Sequence, residues 1–296
     1  MSDLPGFTRS RLDTGEVPLS LHRAGRGAPL ILLHGFPQNH RCWGRVAPDL
    51  ARHFHVIVPD LRGYGDSDAP PDDPTHNTYS KRRMGADIRA VMDALGLERA
   101  HLLGHDRGAR VAYRLALDHP ERVARLGLIE ILPTLIYWER FAELALPIWH
   151  WSFLAQPAPL PERLIGADPG FFADHLLKSW TLEKSLAPFA PEALASYRAQ
   201  MASPERLAAM CADYRAGAGP DRAHDLEDRA AGRRIAAPLH FLWARSGFPA
   251  RSGDPAAVWR QWAETVGDSP CESGHFVMEE NPQAVLEAFL AHFGAP

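Results

Sequence analysis

Cysteine is scarce in this sequence, and the cysteines that occur form no recognisable pattern. Cys42, Cys211 and Cys271 are the only three among 296 residues, and the intervals between them are unrelated. An odd number at irregular spacing argues against both a disulfide framework and a zinc site. We therefore expect a protein of the reducing cytoplasm.

Long apolar runs and blocks of charge are missing as well. No stretch approaches the roughly 18 consecutive apolar residues of a membrane span. Residues 1–17 lack the basic start and apolar run of a signal peptide. The formal net charge is −4, and the 32 Lys and Arg residues form no cluster. We expect a soluble, unprocessed chain that binds neither nucleic acid nor membranes, and a small-molecule partner is favoured.

Short apolar runs alternate with helical patterns in the first half of the chain. The runs lie at 29–33, 55–59, 101–104 and 125–129, and the helical patterns lie at about 79–95 and 107–118. Such alternation is typical of a parallel sheet covered by helices on both faces. With 46% apolar residues, the chain can bury one large core.

The composition changes between residues 133 and 225. Tryptophan and proline become frequent there, and no strand-like run interrupts the helical patterns. A strand pattern returns at 238–243, followed by a final amphipathic helix at 282–293. The sequence thus predicts a core in two parts, 1–132 and 226–296, with a helical cap inserted over 133–225.

The sharpest chemical signal is the segment Leu102-Leu-Gly-His-Asp-Arg-Gly108, where a predicted strand runs directly into a helix. Its Gly104-x-Asp106-x-Gly108 pattern is that of a nucleophile elbow, with aspartate in the place that serine usually occupies. Small residues on both sides let the chain turn sharply and project the Asp106 side chain into a site. The alternative is an ordinary aspartate at a helix N-terminus.

Two further motifs favour the nucleophile. His34-Gly-Phe-Pro37 follows a predicted buried strand, and the main-chain N–H groups of Phe36 and Arg107 could form an oxyanion hole there. His275 lies in the loop before the last helix. Hydrolases of this kind carry nucleophile, acid and histidine in that order, so His275 is the candidate base. A solvated loop histidine is the alternative.

Four motifs together resemble a known family. HGFPQ at 34–38, DLRGYGDS at 60–67, GHDRGAR at 104–110 and GHF at 274–276 resemble the dehalogenase and epoxide-hydrolase branch of the α/β hydrolases. Within that branch the chain is most similar to the fluoroacetate (haloacetate) dehalogenase family. The resemblance implies an α/β-hydrolase fold with a mostly parallel central sheet, helices on both faces and an inserted helical cap. It also implies hydrolysis of small anionic 2-haloacids through an aspartyl ester, without a metal or an organic cofactor, and it is compatible with a homodimer.

The same resemblance assigns substrate-binding residues. Trp149-His150-Trp151 resembles a cap motif in which the histidine and the tryptophan hydrogen-bond the halide. Tyr214, in the segment DYRAG at 213–217, corresponds to a third halide donor. Arg107 and Arg110 match a pair that clamps the substrate carboxylate.

The chemistry of these side chains agrees with that assignment. His150, Trp151 and Tyr214 offer imidazole, indole and phenol donors to a leaving anion. Arg107 and Arg110 are spaced i, i+3 and can lean over one face beside the nucleophile. Two cations would weaken attack on a neutral substrate, but they suit an anionic one. Each of these side chains could instead pack in the core or pair with a surface acid.

The acid that orients His275 has two candidates. Glu130 directly follows the strand pattern at 125–129, where the resembling family carries an aspartate. The segment after the next strand, 242–247, contains no acid, and the next one along the chain is Asp254. We expect Glu130 to be the orienting acid, with its extra methylene requiring the strand or loop to retreat slightly.

Two other functions stay open. An epoxide hydrolase would use the same aspartate and histidine, but it normally needs two cap tyrosines, so Tyr137 or Tyr197 would have to join Tyr214. A non-catalytic ligand-binding protein could retain the same pocket. The WHW motif and the arginine pair favour the dehalogenase over the epoxide hydrolase, and the complete set of motifs argues against the binding protein.

Overall fold

The central element of the fold is one eight-stranded sheet, seen in a computed structural model that describes residues 4–294. Its strands are β1 (Thr8–Asp13), β2 (Pro18–Ala24), β3 (Pro29–Leu33), β4 (His55–Pro59), β5 (Ala100–His105), β6 (Val123–Ile129), β7 (Leu239–Ala244) and β8 (Val266–Cys271). They lie in the order β1-β2-β4-β3-β5-β6-β7-β8. The pairs β1–β2 and β2–β4 are antiparallel and all other pairs are parallel. The predicted fold class, a mostly parallel sheet with packed helices, is confirmed.

Fourteen α-helices lie within residues 4–294. They are α1 (Ala47–Leu50), α2 (Lys81–Ala94), α3 (Asp106–Asp118), α4 (Thr134–Glu139), α5 (Phe141–Leu144), α6 (Trp149–Leu154), α7 (Leu160–Ala167), α8 (Pro169–Trp180), α9 (Pro191–Ala202), α10 (Pro204–Ala218), α11 (Pro220–Ala230), α12 (Pro255–Trp262), α13 (Val277–Glu280) and α14 (Pro282–Phe293). Short 3₁₀ turns cover His40–Trp43, Asn77–Tyr79, Pro120–Arg122 and Ala250–Ser252.

The segment between β6 and β7 contains eight of these helices, α4 to α11, and no strand. Four of its prolines, Pro169, Pro191, Pro204 and Pro220, lie in the first helical turn, where a missing N–H costs nothing, so they begin helices rather than break them. The expected end of the cap at residue 225 falls inside α11, which continues to Ala230.

Three strands lack the apolar runs by which the inner strands could be predicted. β1 reads TRSRLD and β8 reads VGDSPC, and both lie at the edges of the sheet with partly exposed side chains. β2 pairs antiparallel with β4 and alternates more weakly. Strands at or near the edge of a sheet need not be apolar on both faces. β1, β2 and β8 therefore lack the continuous apolar runs from which β3, β5 and β6 were predicted.

The carboxyl ends of the parallel strands carry the candidate site. β3 leads into the loop with Phe36, β5 into Asp106, β6 into Glu130, and β8 into the loop with His275. Parallel strands end at the same edge of a sheet, so residues far apart in sequence are brought together. The cap helices α6 and α10 supply the side chains facing this edge.

We predict that Gly108 is essential to the elbow itself. A Cβ at Gly108 would clash with the carbonyl oxygens of Leu33 and His34, which are backbone atoms of β3 and its loop. Gly108→Ala should therefore lower the free energy of unfolding by about 1 to 3 kcal/mol or more, measured by denaturant unfolding. Gly166→Ala is the matched control, because a Cβ at this position in α7 meets nothing within 4 Å. Equal stability of the two variants would contradict the close approach.

Candidate active site

Asp106 lies at the sharp turn between β5 and α3. Its backbone φ is +46°, a left-handed conformation that is costly for a residue other than glycine. Gly35 packs directly against it, since a Cβ at Gly35 would lie 2.5 Å from the Cβ of Asp106. The side chain is 12% exposed. Strained backbone, glycine contacts and an exposed tip are the features of a nucleophile elbow, as the sequence pattern predicts.

The loop after β3 provides a hydrogen-bond donor to the nucleophile. The main-chain N–H of Phe36 donates to Asp106 Oδ1 at 2.9 Å. This donor lies beside the carboxylate, where it could stabilise an oxyanion formed at the carboxylate carbon. The second expected donor, the main-chain N–H of Arg107, stays a prediction.

His275 faces the same carboxylate. Its Nε2 is 3.9 Å from Asp106 Oδ2, too far for a direct hydrogen bond. The backbone of His275 is fixed from two sides, because its N–H donates to Trp180 O and its carbonyl oxygen contacts His105 Nε2, both at 2.9 Å. The imidazole is therefore held next to Asp106 with a gap between the two groups.

Protonation states in the site suit a carboxylate nucleophile and a neutral base. Burial lowers the pKa of His275 to about 3, so its ring is neutral near pH 7 and able to accept a proton. Burial alone would raise the pKa of Asp106, but the neighbouring His275, His105 and arginine groups outweigh burial and hold this pKa below its ordinary value. Asp106 is accordingly ionised.

Glu130 occupies the predicted place at the end of β6 but does not make the expected bond. Its backbone φ is +60°, and its Oε2 accepts a hydrogen bond from the Ala244 N–H at 2.8 Å. Within residues 4–294, Glu130 Oε1 and His275 Nδ1 are both buried and have no partner, and no hydrogen bond joins them. The main chain at Ala244 competes for the carboxylate, so the expectation of a Glu130–His275 hydrogen bond is not met in this conformation.

Burial raises the pKa of Glu130 well above its ordinary value, although the backbone N–H groups of Ala244 and Phe248 act in the opposite direction. The alternative acid, Asp254, has another role. Its side chain is 63% exposed and caps α12 by accepting a hydrogen bond from the Ala257 N–H at 2.9 Å. The structure therefore favours Glu130 over Asp254 as the acid closest to the site, and its catalytic role stays a prediction.

The two arginines after the nucleophile differ in their partners. Arg107 is bound by Asp213 through Nε, at 3.1 Å to Oδ1, and through Nη2, which also donates to Asp213 O at 2.6 Å. Arg110 Nη1 donates only to neutral acceptors, Leu132 O at 2.9 Å and Thr134 Oγ1 at 3.0 Å. The sequence led us to expect two equivalent arginines that clamp the substrate carboxylate. In the structure they are not equivalent, because Arg107 is largely engaged by the acid Asp213 and the hydrogen bonds of Arg110 go to neutral groups.

Both guanidinium groups nevertheless retain donors for a ligand. Arg107 Nη1 and Arg110 Nε are buried and have no hydrogen-bond partner in the described part of the chain. The Arg107 guanidinium lies 4.3 Å from the centre of the Tyr214 ring, and that of Arg110 lies 4.6 Å from the centre of the Trp151 ring. Cationic groups stacked on cap aromatics connect the core to the cap.

The predicted halide donors come together over the nucleophile. The His150 and Tyr214 rings are 5.7 Å apart, the Trp151 and Tyr214 rings 6.1 Å, and Tyr214 packs edge-on against Phe36 at 5.1 Å. All three donors are buried. Burial lowers the pKa of His150 to about 3, and its Nδ1 has no partner within residues 4–294. A neutral imidazole, an indole and a phenol thus lie close together.

The two tyrosines proposed for an epoxide hydrolase have different environments. The Tyr197 hydroxyl is not available to protonate an epoxide, since it donates to Glu279 Oε1 at 3.1 Å. Tyr137 stays near the site, stacked on Trp151 at 4.9 Å and lying under the Arg110 guanidinium at 4.9 Å. Tyr137 is therefore the remaining candidate to act with Tyr214.

Several residues that the motifs did not indicate hold the site together. Gln200 in α9 donates to Pro37 O and Gln38 O and accepts from the Gly65 N–H, so it joins the cap to the loop that carries Phe36. Asp213 accepts hydrogen bonds from Arg107 and also from Tyr64 and Lys81. No local pattern distinguishes these side chains, because their partners are more than 100 residues away in the sequence.

A group of potential metal ligands lies elsewhere. His22, His40, Asp60 and Asp66 place ligand atoms within 4.8 Å of one another. The Asp60 carboxylate is already engaged, accepting from the His40 N–H at 2.8 Å and the Asp66 N–H at 2.9 Å. The His22 and His40 rings stack face to face at 3.9 Å. Hydrogen-bonded oxygens and stacked imidazoles are better suited to fixing the turn after β4 than to coordinating a metal ion.

Comparison with known proteins identifies the family. The α/β hydrolase fold family matches residues 28–282. The chain belongs to the α/β hydrolase family. A fluoroacetate dehalogenase from Burkholderia sp is 40% identical over 290 residues, which cover 97% of this chain and 94% of that protein. The soluble epoxide hydrolase of Corynebacterium sp. (strain C12) is 34% identical, with 91% of each chain covered.

A solved structure agrees with the same assignment. A protein from Nostoc sp PCC 7120 described as an α/β hydrolase is 43% identical, with a TM-score of 0.95 over 98% of this chain and 99% of that one. The predicted resemblance to α/β hydrolases of the dehalogenase and epoxide-hydrolase branch is confirmed.

Within residues 4–294, no helix is both long and apolar enough to cross a membrane.

We predict that mutation of Glu130 and mutation of Asp254 will have different effects on turnover. Glu130→Gln removes the buried acid that we expect to orient His275 and should lower turnover by about 10- to 1000-fold. Asp254→Asn changes only an exposed helix cap, so turnover should stay near the wild-type value and stability should change by less than about 1 kcal/mol. Steady-state kinetics with thermal unfolding as a control measures both. A larger loss of turnover in Asp254→Asn would identify Asp254 as the orienting acid instead.

Proposed function

We propose that this α/β hydrolase is a hydrolytic dehalogenase of small 2-haloacids, converting fluoroacetate to glycolate and fluoride. The observation that carries the proposal is Arg110, a buried guanidinium one helical turn from Asp106 that donates to the neutral acceptors Leu132 O and Thr134 Oγ1. Arg110 also acts by charge on the ionised Asp106 carboxylate, but a buried guanidinium whose hydrogen bonds go to neutral groups favours a charged hydrogen-bond partner. The substrate carboxylate would supply that partner.

The first step would be displacement at carbon. The ionised Asp106 carboxylate attacks the carbon that bears the halogen, a new C–O ester bond forms, and the bonding pair of the C–halogen bond leaves with the halide. Arg110 and the free Nη1 of Arg107 would hold the substrate carboxylate by charge-assisted hydrogen bonds. Holding that group fixes the orientation of the reacting carbon relative to Asp106.

The second step would be hydrolysis of the ester. A water beside His275 Nε2, which lies 3.9 Å from Asp106 Oδ2, could lose a proton to Nε2 while attacking the Asp106 carboxyl carbon. The developing oxyanion would be stabilised by the Phe36 N–H, which already contacts this carboxylate. Collapse breaks the ester bond and the glycolate alkoxide takes the proton from His275. The Asp106 carboxylic acid left by collapse then loses its proton to solvent, which restores the carboxylate.

The leaving halide would be solvated by the cap. Fluoride departs from a strong bond and depends on donors that replace its hydration shell. Buried His150, Trp151 and Tyr214 supply three donors of different geometry that lie close together. This arrangement supports a dehalogenase, and the 40% identical fluoroacetate dehalogenase from Burkholderia sp points the same way.

Epoxide hydrolysis is the second candidate. It would use the same Asp106 and His275, with Tyr137 and Tyr214 protonating the epoxide oxygen, and the 34% identical soluble epoxide hydrolase of Corynebacterium supports it. Ring opening does not require a cation at Arg110, which makes this reading the weaker one. Fluoride release from fluoroacetate, chloride release from chloroacetate and diol formation from a neutral epoxide, measured side by side, decide between them. An Asp106→Asn variant is the control for contaminating activity.

Covalent catalysis gives a direct prediction. In His275→Asn the displacement step should proceed once, and the ester should then accumulate because no base activates water. Intact-protein mass spectrometry after incubation with chloroacetate should show one adduct of the carboxymethyl group, absent in the Asp106→Asn/His275→Asn double variant. A folded His275→Asn protein that binds the substrate yet forms no adduct would overturn the division of roles between Asp106 and His275.

The cap donors give a second prediction. Tyr214→Phe removes one O–H and keeps the ring that packs on Phe36 and Arg107. A hydrogen bond to a charged group contributes about 1.5 to 3 kcal/mol, so single-turnover cleavage of fluoroacetate should fall by about 10- to 100-fold. Cleavage of chloroacetate should fall less, because chloride gains less from hydrogen bonds than fluoride does. Equal losses with both substrates would show that Tyr214 does not solvate the halide.

A further inference from the structure

A buried lysine lies behind the candidate substrate site. Lys81, the first residue of α2, is 1% exposed, and its Nζ is paired with Asp213, the same acid that binds Arg107. Its Nζ is also 4.0 Å from Asp221 Oδ2. The four groups form an alternating charge chain, defined as Arg107, Asp213, Lys81 and Asp221, that runs from the nucleophile to the junction of the core with α11.

Stability alone does not account for Lys81. A buried ion pair is often no more stabilising than apolar residues of the same size, because removing both charges from water is costly. The first turn of a helix is also unfavourable for a cation, since the helix dipole is positive there. Packing alone therefore does not explain a lysine at position 81.

The electrostatic effect of Asp213 on Arg107 suggests that purpose. Asp213 binds Arg107 through two nitrogens and would cancel most of its positive charge toward the pocket. Lys81 and the Tyr64 hydroxyl, at 2.8 Å, bind the same carboxylate from other directions. A second cation on Asp213 offsets its negative charge, so less of the positive charge of Arg107 is neutralised. Its Nη1, which has no hydrogen-bond partner within residues 4–294, then belongs to a net positive group.

We propose that Lys81, through Asp213, keeps the Arg107 end of the site electropositive and thereby determines its preference for a carboxylate ligand. This proposal rests on the proposed function only in taking a haloacid as the substrate. Lys81 is a positioning and charge-setting residue that does not touch the substrate. Asp221 is at the far end of the charge chain, on the other side of Lys81 from Arg107. Its negative charge therefore weakens the effect of Lys81 on Asp213 without removing it.

The test compares two residues that donate to the same acid. Lys81→Gln keeps a donor to Asp213 but removes the charge, whereas Tyr64→Phe removes a neutral donor and leaves every charge in place. Glycolate binding by calorimetry should weaken about tenfold in Lys81→Gln, equivalent to about 1.4 kcal/mol, and less than about threefold in Tyr64→Phe. KM for chloroacetate should rise in parallel, while the single-turnover rate at saturation changes less than about threefold. Glycolamide, the neutral counterpart of glycolate, should bind the wild type and Lys81→Gln alike.

Other outcomes would overturn the proposal. Wild-type glycolate affinity in a folded Lys81→Gln protein, an equal loss in Tyr64→Phe, or an equal loss for glycolamide would each leave Lys81 with a structural role only. If Lys81→Gln does not fold, Lys81→Gln/Asp221→Asn removes both outer charges and is measured in the same way. Glycolate binding is independent of halide release, so failure of the dehalogenase assay and failure of this proposal are distinguishable.

Discussion

The central constraint of this structure is that a buried carboxylate must stay ionised to act as a nucleophile. Burial opposes ionisation of Asp106, and the site counteracts burial with the Phe36 N–H at 2.9 Å and with the positive groups that follow the elbow. His275 has the opposite requirement, since burial keeps it neutral and so able to accept a proton. Arg110 acts on both groups in the same direction, since it lowers the pKa of Asp106 and also that of His275.

Cations in a buried site create a second requirement, because they need acids of their own. Arg107 is matched by Asp213 from cap helix α10, and Asp213 is shared with Lys81 from core helix α2. Arg110 is left with neutral acceptors. The charges around Asp106 therefore also join the cap to the core. Arg110, whose hydrogen bonds in the described part of the chain go to neutral groups, marks where the proposed anionic ligand would bind.

The sequence predicts the parts of this site that depend on local pattern. The elbow around Asp106, the loop carrying Phe36 and the inner strands follow from short motifs and apolar runs, and the structure has them where expected. The Asp213–Lys81 pair could not be predicted, because it joins positions 132 residues apart and the DYRAG segment that contains Asp213 indicates only Tyr214. The hydrogen bond from Ala244 N–H to Glu130 depends on sub-ångström loop geometry, which composition and periodicity do not encode.

Backbone strain indicates how the sheet and the cap divide their tasks. Asp106 and Glu130 both adopt left-handed backbone conformations, with φ of +46° and +60°, and both follow directly from the paired strands β5 and β6. Such conformations cost about 1 to 3 kcal/mol each and persist only where the surroundings enforce them. The parallel pairing of two central strands provides that enforcement, so the acids are fixed by the rigid part of the fold. The aromatic donors come from separate helices of the cap, which can vary without disturbing the sheet. In the proposed function, the chemistry at carbon and the choice of leaving group would therefore lie on different structural elements, and one scaffold could serve related hydrolytic reactions in this way.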